Sequence, residues 1–164
     1  PEIRVLSTEA RNMAAVGCSS AKSTLVVTTG LLDSATRIEL EAIVANRISQ
    51  IATGQTALAT AALSTFGLQI RIGALRVRPF ALLPVSVKQR FGLELDPSDD
   101  FLNDSAGVAL TRYPPGMVEA LAMMENRNEL LTASSITDSL WVLSTNANTD
   151  RPTVEARMTA LREL

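Results

Sequence analysis

The stretch from Ser23 to Ile51 constrains the fold more than any other part of this chain, because it joins a strand directly to a helix. The β-branched run Thr24–Thr29 predicts a strand, and Gly30 ends it. Thr36 with Glu39 three residues later is a capping box, in which two side chains satisfy free N–H groups at a helix start. Apolar residues then recur at helical spacing and predict a core-facing stripe made of Leu40, Ile43, Val44, Ile48 and Ile51.

The rest of the pattern predicts an α+β fold in one domain covering residues 1–164. Two more short strands are predicted at Ile3–Ser7 and Met13–Gly17, and the helix that opens near Arg37 is predicted to reach about Phe66. Further helices are predicted at Asp100–Leu110, Pro115–Asn128 and Thr153–Leu164. Two segments stay open: Ile70–Pro84 as an extended arm or a proline-cut helix, and Ser139–Ser144 as a short strand or a turn.

Composition excludes several classes of protein. With 46% hydrophobic and 20% charged residues, the chain is globular rather than disordered. A net charge of −2 with dispersed arginines argues against a nucleic-acid surface. Cys18 is the single cysteine, so it forms no internal disulfide, and a chain without histidine offers no imidazole to activate it.

Membrane and targeting signals are weak in the sequence itself. The uncharged run between Arg47 and Arg71 is rich in Ala, Thr and Gln, which favours a buried helix over a membrane span. The chain starts at Pro1 without a signal peptide, which indicates a piece of a longer protein. The methionines around Met123 and Met124 are predicted to be packing residues rather than metal ligands.

The pentad Asn46-Arg47-Ile48-Ser49-Gln50 lies on the predicted long helix. Residues four apart share a helix face, as the two zinc ligands of an H-E-x-x-H pentad do. Asn46 and Gln50 have that spacing, but neutral amides bind zinc poorly beside imidazole or thiolate ligands. Arg47 cannot act as a general base, because its guanidinium stays protonated and repels a metal ion. An ordinary polar helix face explains the same residues without any site.

Several segments, in the same order, resemble HtpX-like and CAAX-prenyl-type membrane metalloproteases. VVTTGLLD followed by RIELEAIVA is similar to the run into the zinc helix, and RNMAAVG at Arg11–Gly17 is similar to the N-A-F-A-x-G strand. DFLND at Asp100–Asp104 resembles the E-F-x-A-D segment of the helix that supplies the third zinc ligand. LSTN at Leu143–Asn146 resembles L-F-S-T-H-P-P, and the P-T-x-E-x-R-I helix start is matched at Pro152, Thr153, Glu155, Arg157 and Met158.

The resemblance implies a small β-sheet packed on a zincin-like helical core with a long former active-site helix. It places the family's histidines at three positions that are amides here, and its catalytic glutamate at Arg47. It therefore implies a degenerate member with no zinc or other cofactor. The vestigial positions are Asn46, Arg47, Gln50, Asp100, Asp104 and Asn146. A salt bridge from Arg47 to Asp100 or Asp104 is expected where the metal would lie.

For function, the resemblance implies an inactive metallopeptidase-like domain, a pseudopeptidase, with a protein- or peptide-binding or regulatory role. The expected binding edge is Asn12, Met13, Ala14, Ala15, Val16 and Gly17, since strand pairing with an extended peptide needs only backbone groups. The resemblance also implies that transmembrane helices lie outside this piece. We therefore expect a membrane-associated protein with this domain on the cytoplasmic side, a protein or peptide partner, and no nucleic acid.

Other functions stay open. Oxygen ligands for Mg²⁺, Mn²⁺ or Ca²⁺ in a rearranged hydrolase could come from Asp33, Glu39, Glu41, Asp99, Asp100 and Asp104, although no spacing matches a known carboxylate loop. A Ser–Lys hydrolase using Lys22 or Lys88 has no supporting motif. The third alternative is an α+β structural module without a site.

Overall fold

A computed structural model describes residues 1–66, 70–72, 75–77, 98–127, 135–145 and 151–164. The strands are β1 (Glu2–Leu6), β2 (Met13–Gly17), β3 (Ser23–Thr28), β4 (Ile70–Ile72) and β5 (Leu75–Val77). The helices are α1 (Thr29–Ser34), α2 (Arg37–Ala52), α3 (Gln55–Phe66), α4 (Ser98–Thr111), α5 (Pro114–Glu125) and α6 (Val154–Arg162), with a 3₁₀ helix at Ser135–Leu140. The α+β class predicted from the sequence is confirmed.

The first three strands form one sheet in the order β1-β3-β2. β1 runs parallel to β3 and β2 runs antiparallel to it, so that Ala15 lies opposite Leu25. β4 and β5 pair separately as a short antiparallel ribbon. Of the two interpretations of Ile70–Pro84, the extended one therefore holds over these two strands. Pro79 and Pro84 lie outside the described residues.

The strand-to-helix stretch folds largely as predicted, with one additional element. The capping box forms, because the Thr36 N–H donates to Glu39 Oε2 at 2.6 Å and Glu39 N donates to Thr36 Oγ1 at 3.4 Å. Between the strand and the capping box, however, the chain forms helix α1, which the sequence pattern does not predict. The Thr28 hydroxyl accepts from Leu31 N at 3.3 Å and caps that helix, so the strand ends at Thr28 and Gly30 lies inside α1.

The prediction of one helix from Arg37 to Phe66 is wrong. The helix breaks after Ala52, and α3 begins at Gln55. Gly54 has a φ of 80°, in the left-handed region that glycine adopts without steric cost, and it ends α2. Ile48 was predicted to face the core but is 40% exposed, because the stripe on α2 is buried at Ile43 and Ile51 instead.

The main core lies between the sheet and helices α2, α4, α5 and α6. It includes Met117 and Met124, which confirms that these methionines pack, together with Val27, Leu31, Ile43, Val108, Leu121, Val142 and Leu161. Gly107 sets the distance between α4 and α2, since a Cβ there would lie 2.9 Å from the backbone of Asn46. This close approach brings the polar face of α2 against the acidic residues of α4.

Candidate functional site

The polar face of α2 meets α4 through a buried amide–carboxylate contact. Asn46 Nδ2 donates to Asp104 Oδ1 at 2.7 Å, and both side chains are buried. The sequence predicted that the pentad would face Asp100 or Asp104, and the structure places it there. The two segments lie far apart in the chain, so only the close packing of the two helices joins them.

Asp104 is also held by an arginine from the last helix. Arg157 Nε donates to Asp104 Oδ2 and Arg157 Nη2 donates to Asp104 Oδ1, both at 2.7 Å, in the bidentate geometry that strengthens such pairs. Both side chains are only 2% exposed. Burial by itself would lower the pKa of Arg157, but the charge and hydrogen bonds of Asp104 outweigh burial and raise it. Arg157 is therefore held as a cation against Asp104.

Asp100 has a second arginine of its own. Arg151 Nε donates to Asp100 Oδ2 and Arg151 Nη2 donates to Asp100 Oδ1, both at 2.8 Å. Burial would raise the pKa of Asp100, yet the hydrogen bonds and charge of Arg151 outweigh burial and lower it below its ordinary value. Asp100 is a carboxylate at neutral pH, with both oxygens engaged.

Arg47 lies in the same cluster, and it forms no ion pair with the part of the chain that the structure describes. Arg47 is 1% exposed, and its Nε and Nη2 donate to Asn46 Oδ1 at 2.8 and 2.6 Å. The predicted salt bridge to Asp100 or Asp104 does not form, because Arg151 and Arg157 already bind those carboxylates. Burial lowers the pKa of Arg47 to about 9, while Asp100 partly opposes that shift. Arg47 thus stays charged at neutral pH among neutral acceptors.

All three arginines also bind the backbone of one segment, residues 138–143. The donors to its consecutive carbonyls are Arg151 to Asp138 O (2.9 Å), Gln50 to Ser139 O (3.4 Å), Arg47 to Leu140 O (3.3 Å), Arg151 to Trp141 O (3.1 Å), Arg151 and Arg157 to Val142 O (2.9 Å each) and Asn12 to Leu143 O (2.9 Å). Leu140, Val142 and Leu143 are also buried. The 138–143 segment is consequently fixed by apolar packing and by a row of side-chain donors.

The same segment lies against the predicted binding edge. Val142 N donates to Met13 O at 2.9 Å, Ala14 forms an antiparallel bridge with Trp141, and Asn12 Oδ1 accepts from Leu143 N at 3.2 Å. Farther along β2, Gly17 N donates to Thr60 Oγ1 at 3.0 Å. Residues Asn12 to Ala15 are buried, whereas Val16 and Gly17 are partly exposed. The edge therefore already holds one extended stretch of the chain's own backbone.

Several curated proteins with one name are similar in sequence to this chain. A "Protease HtpX homolog" of Dictyoglomus thermophilum is 27% identical over 190 residues, covering 99% of this chain and 63% of that protein. The relative of the same name from Dictyoglomus turgidum is 28% identical over 191 residues with the same coverage. One from Listeria monocytogenes serotype 4b is 24% identical over 171 residues, covering 82% of this chain. The chain is thus similar to HtpX-like proteases over most of its length.

The chain spans 63% of the length of the Dictyoglomus relatives that it matches. No protein-family model matches it. No solved structure matches it either. Among the described residues, no helix combines the length and the apolar composition needed to cross a bilayer.

The described side chains at the junction of α2, α4 and α6 do not form a zinc-binding set. Within the described part of the chain, no three His, Cys, Asp or Glu residues are grouped closely enough to hold a metal ion. The oxygens of Asp100 and Asp104 are already bound by guanidinium groups, and Arg47 adds a further positive charge. Gln50 Oε1 is buried and has no hydrogen-bond partner within the described ranges, but a single amide oxygen is a weak ligand for zinc.

The alternative carboxylate site is not assembled either. Glu39 is engaged in the capping box, Glu41 pairs with Arg37 four residues before it at 2.9 Å, and Asp99 accepts from Gln55. Glu39 and Glu41 thus act within α2, while Asp99 joins the starts of α3 and α4. Asn146 and Lys88, named above as candidate residues, lie outside the described residues.

Sequence reasoning missed three residues that build the site: Arg151, Arg157 and Asp138. Arg157 had a signal, since it matches the arginine of the P-T-x-E-x-R-I helix start, but nothing in the spacing connected it to Asp104. Arg151 lies directly before Pro152 and carries no motif. Asp138 accepts from Thr145 N at 2.7 Å and Ser144 Oγ at 2.8 Å, and so shapes the turn after the 138–143 segment.

Proposed function

We propose that this HtpX-like chain is a catalytically inactive metallopeptidase-like domain that acts by binding protein or peptide. The observation that carries the proposal is the arginine cluster at the junction of α2, α4 and α6, in which Arg47 and Arg157 are buried and the Arg151 side chain is 11% exposed. Metal-dependent hydrolysis needs an activated water, and a protonated guanidinium at the base position cannot accept its proton. In this proposal, ion pairs replace a metal ion as the link between the helices.

The proposed partner is an extended protein or peptide segment that pairs with β2. The 138–143 segment supports this proposal, because its backbone pairs with Met13 and Ala14. The Asn12 side chain also hydrogen-bonds both the N–H and the C=O of Leu143. A partner would add at the partly exposed Val16–Gly17 end. We further propose that the whole protein is membrane-associated through segments outside this chain, with this domain on the cytoplasmic side.

The proposal of inactivity is tested by restoring the family's residues. Variant A carries Asn46→His, Arg47→Glu, Gln50→His and Asp100→Glu, and variant B adds Arg151→Ala, which frees the carboxylate at position 100. Zinc content after dialysis and cleavage of casein are measured for the wild type and both variants, with circular dichroism to establish folding. We expect a metal-free, inactive wild type and zinc retention that is stronger in variant B than in variant A.

Stoichiometric zinc or casein cleavage in the wild type would show that the domain is an enzyme. A folded variant B that binds no zinc would show that this junction does not have a peptidase geometry. For the binding role, backbone NMR shifts of Val16 and Gly17 are followed during titration with casein, and the shift of the exposed α6 residue Arg162 serves as the internal reference. No shift at β2 in the wild type would remove the proposed edge and leave a structural module.

A further inference from the structure

The burial of the sheet stops abruptly between β3 and β1. Ile3 and Val5 lie beside Leu25 and Val27 in register and therefore on the same face of the sheet. Leu25 and Val27 are each 3% exposed, whereas Ile3 is 67% and Val5 is 59% exposed. The helices that cover this face reach β3 and leave the apolar residues of β1 in solvent.

The outer backbone edge of β1 is also open. In the described part of the chain, β1 pairs with β3 on one side and no strand pairs with its other side. Unpaired N–H and C=O groups on an edge strand are a template for a further strand, and most edges are blunted by lysine, proline or a covering element. β1 instead presents two β-branched residues and one pair of opposite charges.

Those charges indicate which strand fits. Arg4 Nη2 lies 2.7 Å from Glu2 Oε1 within the strand, so both side chains are on the face opposite Ile3. If a second copy of β1 runs antiparallel with Ile3 opposite Ile3 on a two-fold axis, each Glu2 lies opposite an Arg4. The strand is thus complementary to itself in charge on one face and in apolar character on the other.

We propose that β1 is a self-association edge, on which a second copy of this chain adds its own β1 to form a continuous six-stranded sheet. The contact is isologous, because the same residues face each other across the two-fold axis. The register matters: moving the axis to Arg4 would oppose Arg4 to Arg4 and Glu2 to Leu6. This surface is separate from the β2 edge, so its proposal does not depend on the proposed function.

The test is a charge exchange measured by sedimentation equilibrium and by light scattering over a range of concentrations. Glu2→Arg and Arg4→Glu each create two like-charge contacts across the axis, and each should weaken self-association at least about tenfold. The double variant Glu2→Arg/Arg4→Glu should restore it. A mixture of the two single variants should associate again, because every contact between them is then complementary.

Arg162→Glu serves as the matched control, since Arg162 is an exposed residue of α6 outside the proposed contact, and it should leave self-association unchanged. Thermal unfolding of each variant as a monomer checks that folding is intact. A wild-type chain that stays monomeric at millimolar concentration would overturn the proposal and assign β1 to another segment or protein. If Glu2→Arg and Arg4→Glu each left the association constant unchanged, the contact would lie on a different surface. The same conclusion would follow if the mixture of the two single variants did not associate.

Discussion

Two regions of this molecule depart from the usual division of residues in opposite ways. The junction of α2, α4 and α6 buries two arginines and two aspartates and leaves a third arginine 11% exposed, while β1 leaves isoleucine and valine in solvent. Most charges of the junction have close opposite partners, whose attraction opposes the cost of desolvation. The apolar side chains Ile3 and Val5 of β1 are not covered by any of the described residues. The contrast teaches that polarity in a sequence does not by itself indicate which side of the molecule a residue faces.

Within the junction the arginines are not equivalent. Arg157 is matched by a carboxylate in bidentate geometry, whereas the acceptors of Arg47 among the described residues are an amide oxygen and a backbone carbonyl. Arg157 is a paired charge, and its loss leaves the Asp104 carboxylate buried without its counter-charge. Arg47 is a buried charge without a carboxylate partner among the described residues, so replacing it by an apolar side chain removes the cost of desolvating its guanidinium. The predictions below separate the two cases.

The largest effect is expected for Arg157→Met, which removes the partner of buried Asp104 while keeping much of the side-chain volume. We expect a loss of about 3–5 kcal/mol in the free energy of unfolding, as for other broken buried ion pairs. Urea denaturation at pH 7 measures it. The double variant Arg157→Met/Asp104→Leu should recover a large part of the loss, and a simple sum of the two single losses would mean that the groups do not interact.

A smaller loss is expected for Arg47→Ala. It leaves a cavity and unbound acceptors at Asn46 and Leu140, which together cost about 2 kcal/mol. Arg47→Met fills the cavity and removes the unpaired charge, so it should lie within about 1 kcal/mol of the wild type. Denaturation curves at pH 7 for both variants decide the case. A change below about half a kcal/mol for Arg47→Ala would show that Arg47 does not link the helices.

Asp100 should contribute a pH-dependent effect confined to acid. Its pKa is lower in the folded protein than its ordinary value of 3.8, so its contribution to stability is fully present above that pH. The contribution is lost as the pH falls below 3.8 toward the folded value. Chemical denaturation between pH 5 and pH 2.5 should show a shallower loss of stability for Asp100→Asn than for the wild type. Identical slopes would contradict the lowered pKa.

The smallest effect belongs to β1. Ile3→Thr, measured at a concentration where the chain is monomeric, should change the free energy of unfolding by less than about 0.5 kcal/mol, because the side chain is already exposed. Leu25→Thr, at the neighbouring position in register, should cost far more, since it places a hydroxyl in the core. A large loss for Ile3→Thr would mean that β1 is covered within the monomer.

The helix start at Thr36 and the pairing of Asn46 with Asp104 show how much could be anticipated. The capping box is a local signal, because its two residues interact within one turn, and it formed as predicted. The meeting of the pentad with the Asp100 segment followed from the order of family-like segments. The break at Gly54 could have been anticipated from glycine alone, yet helical periodicity on both sides concealed it.

By itself, the sequence determined the strand–helix order, the absence of histidine and the amide and arginine side chains at the pentad, because these depend on residue identity and local spacing. Only the tertiary structure decided which arginine meets which carboxylate. Arg47 is the arginine within the pentad, but Arg151 and Arg157 form the ion pairs with Asp100 and Asp104. Ion pairing depends on distances of a few ångströms between segments far apart in the chain, and those distances are set by how closely α4 packs on α2 at Gly107.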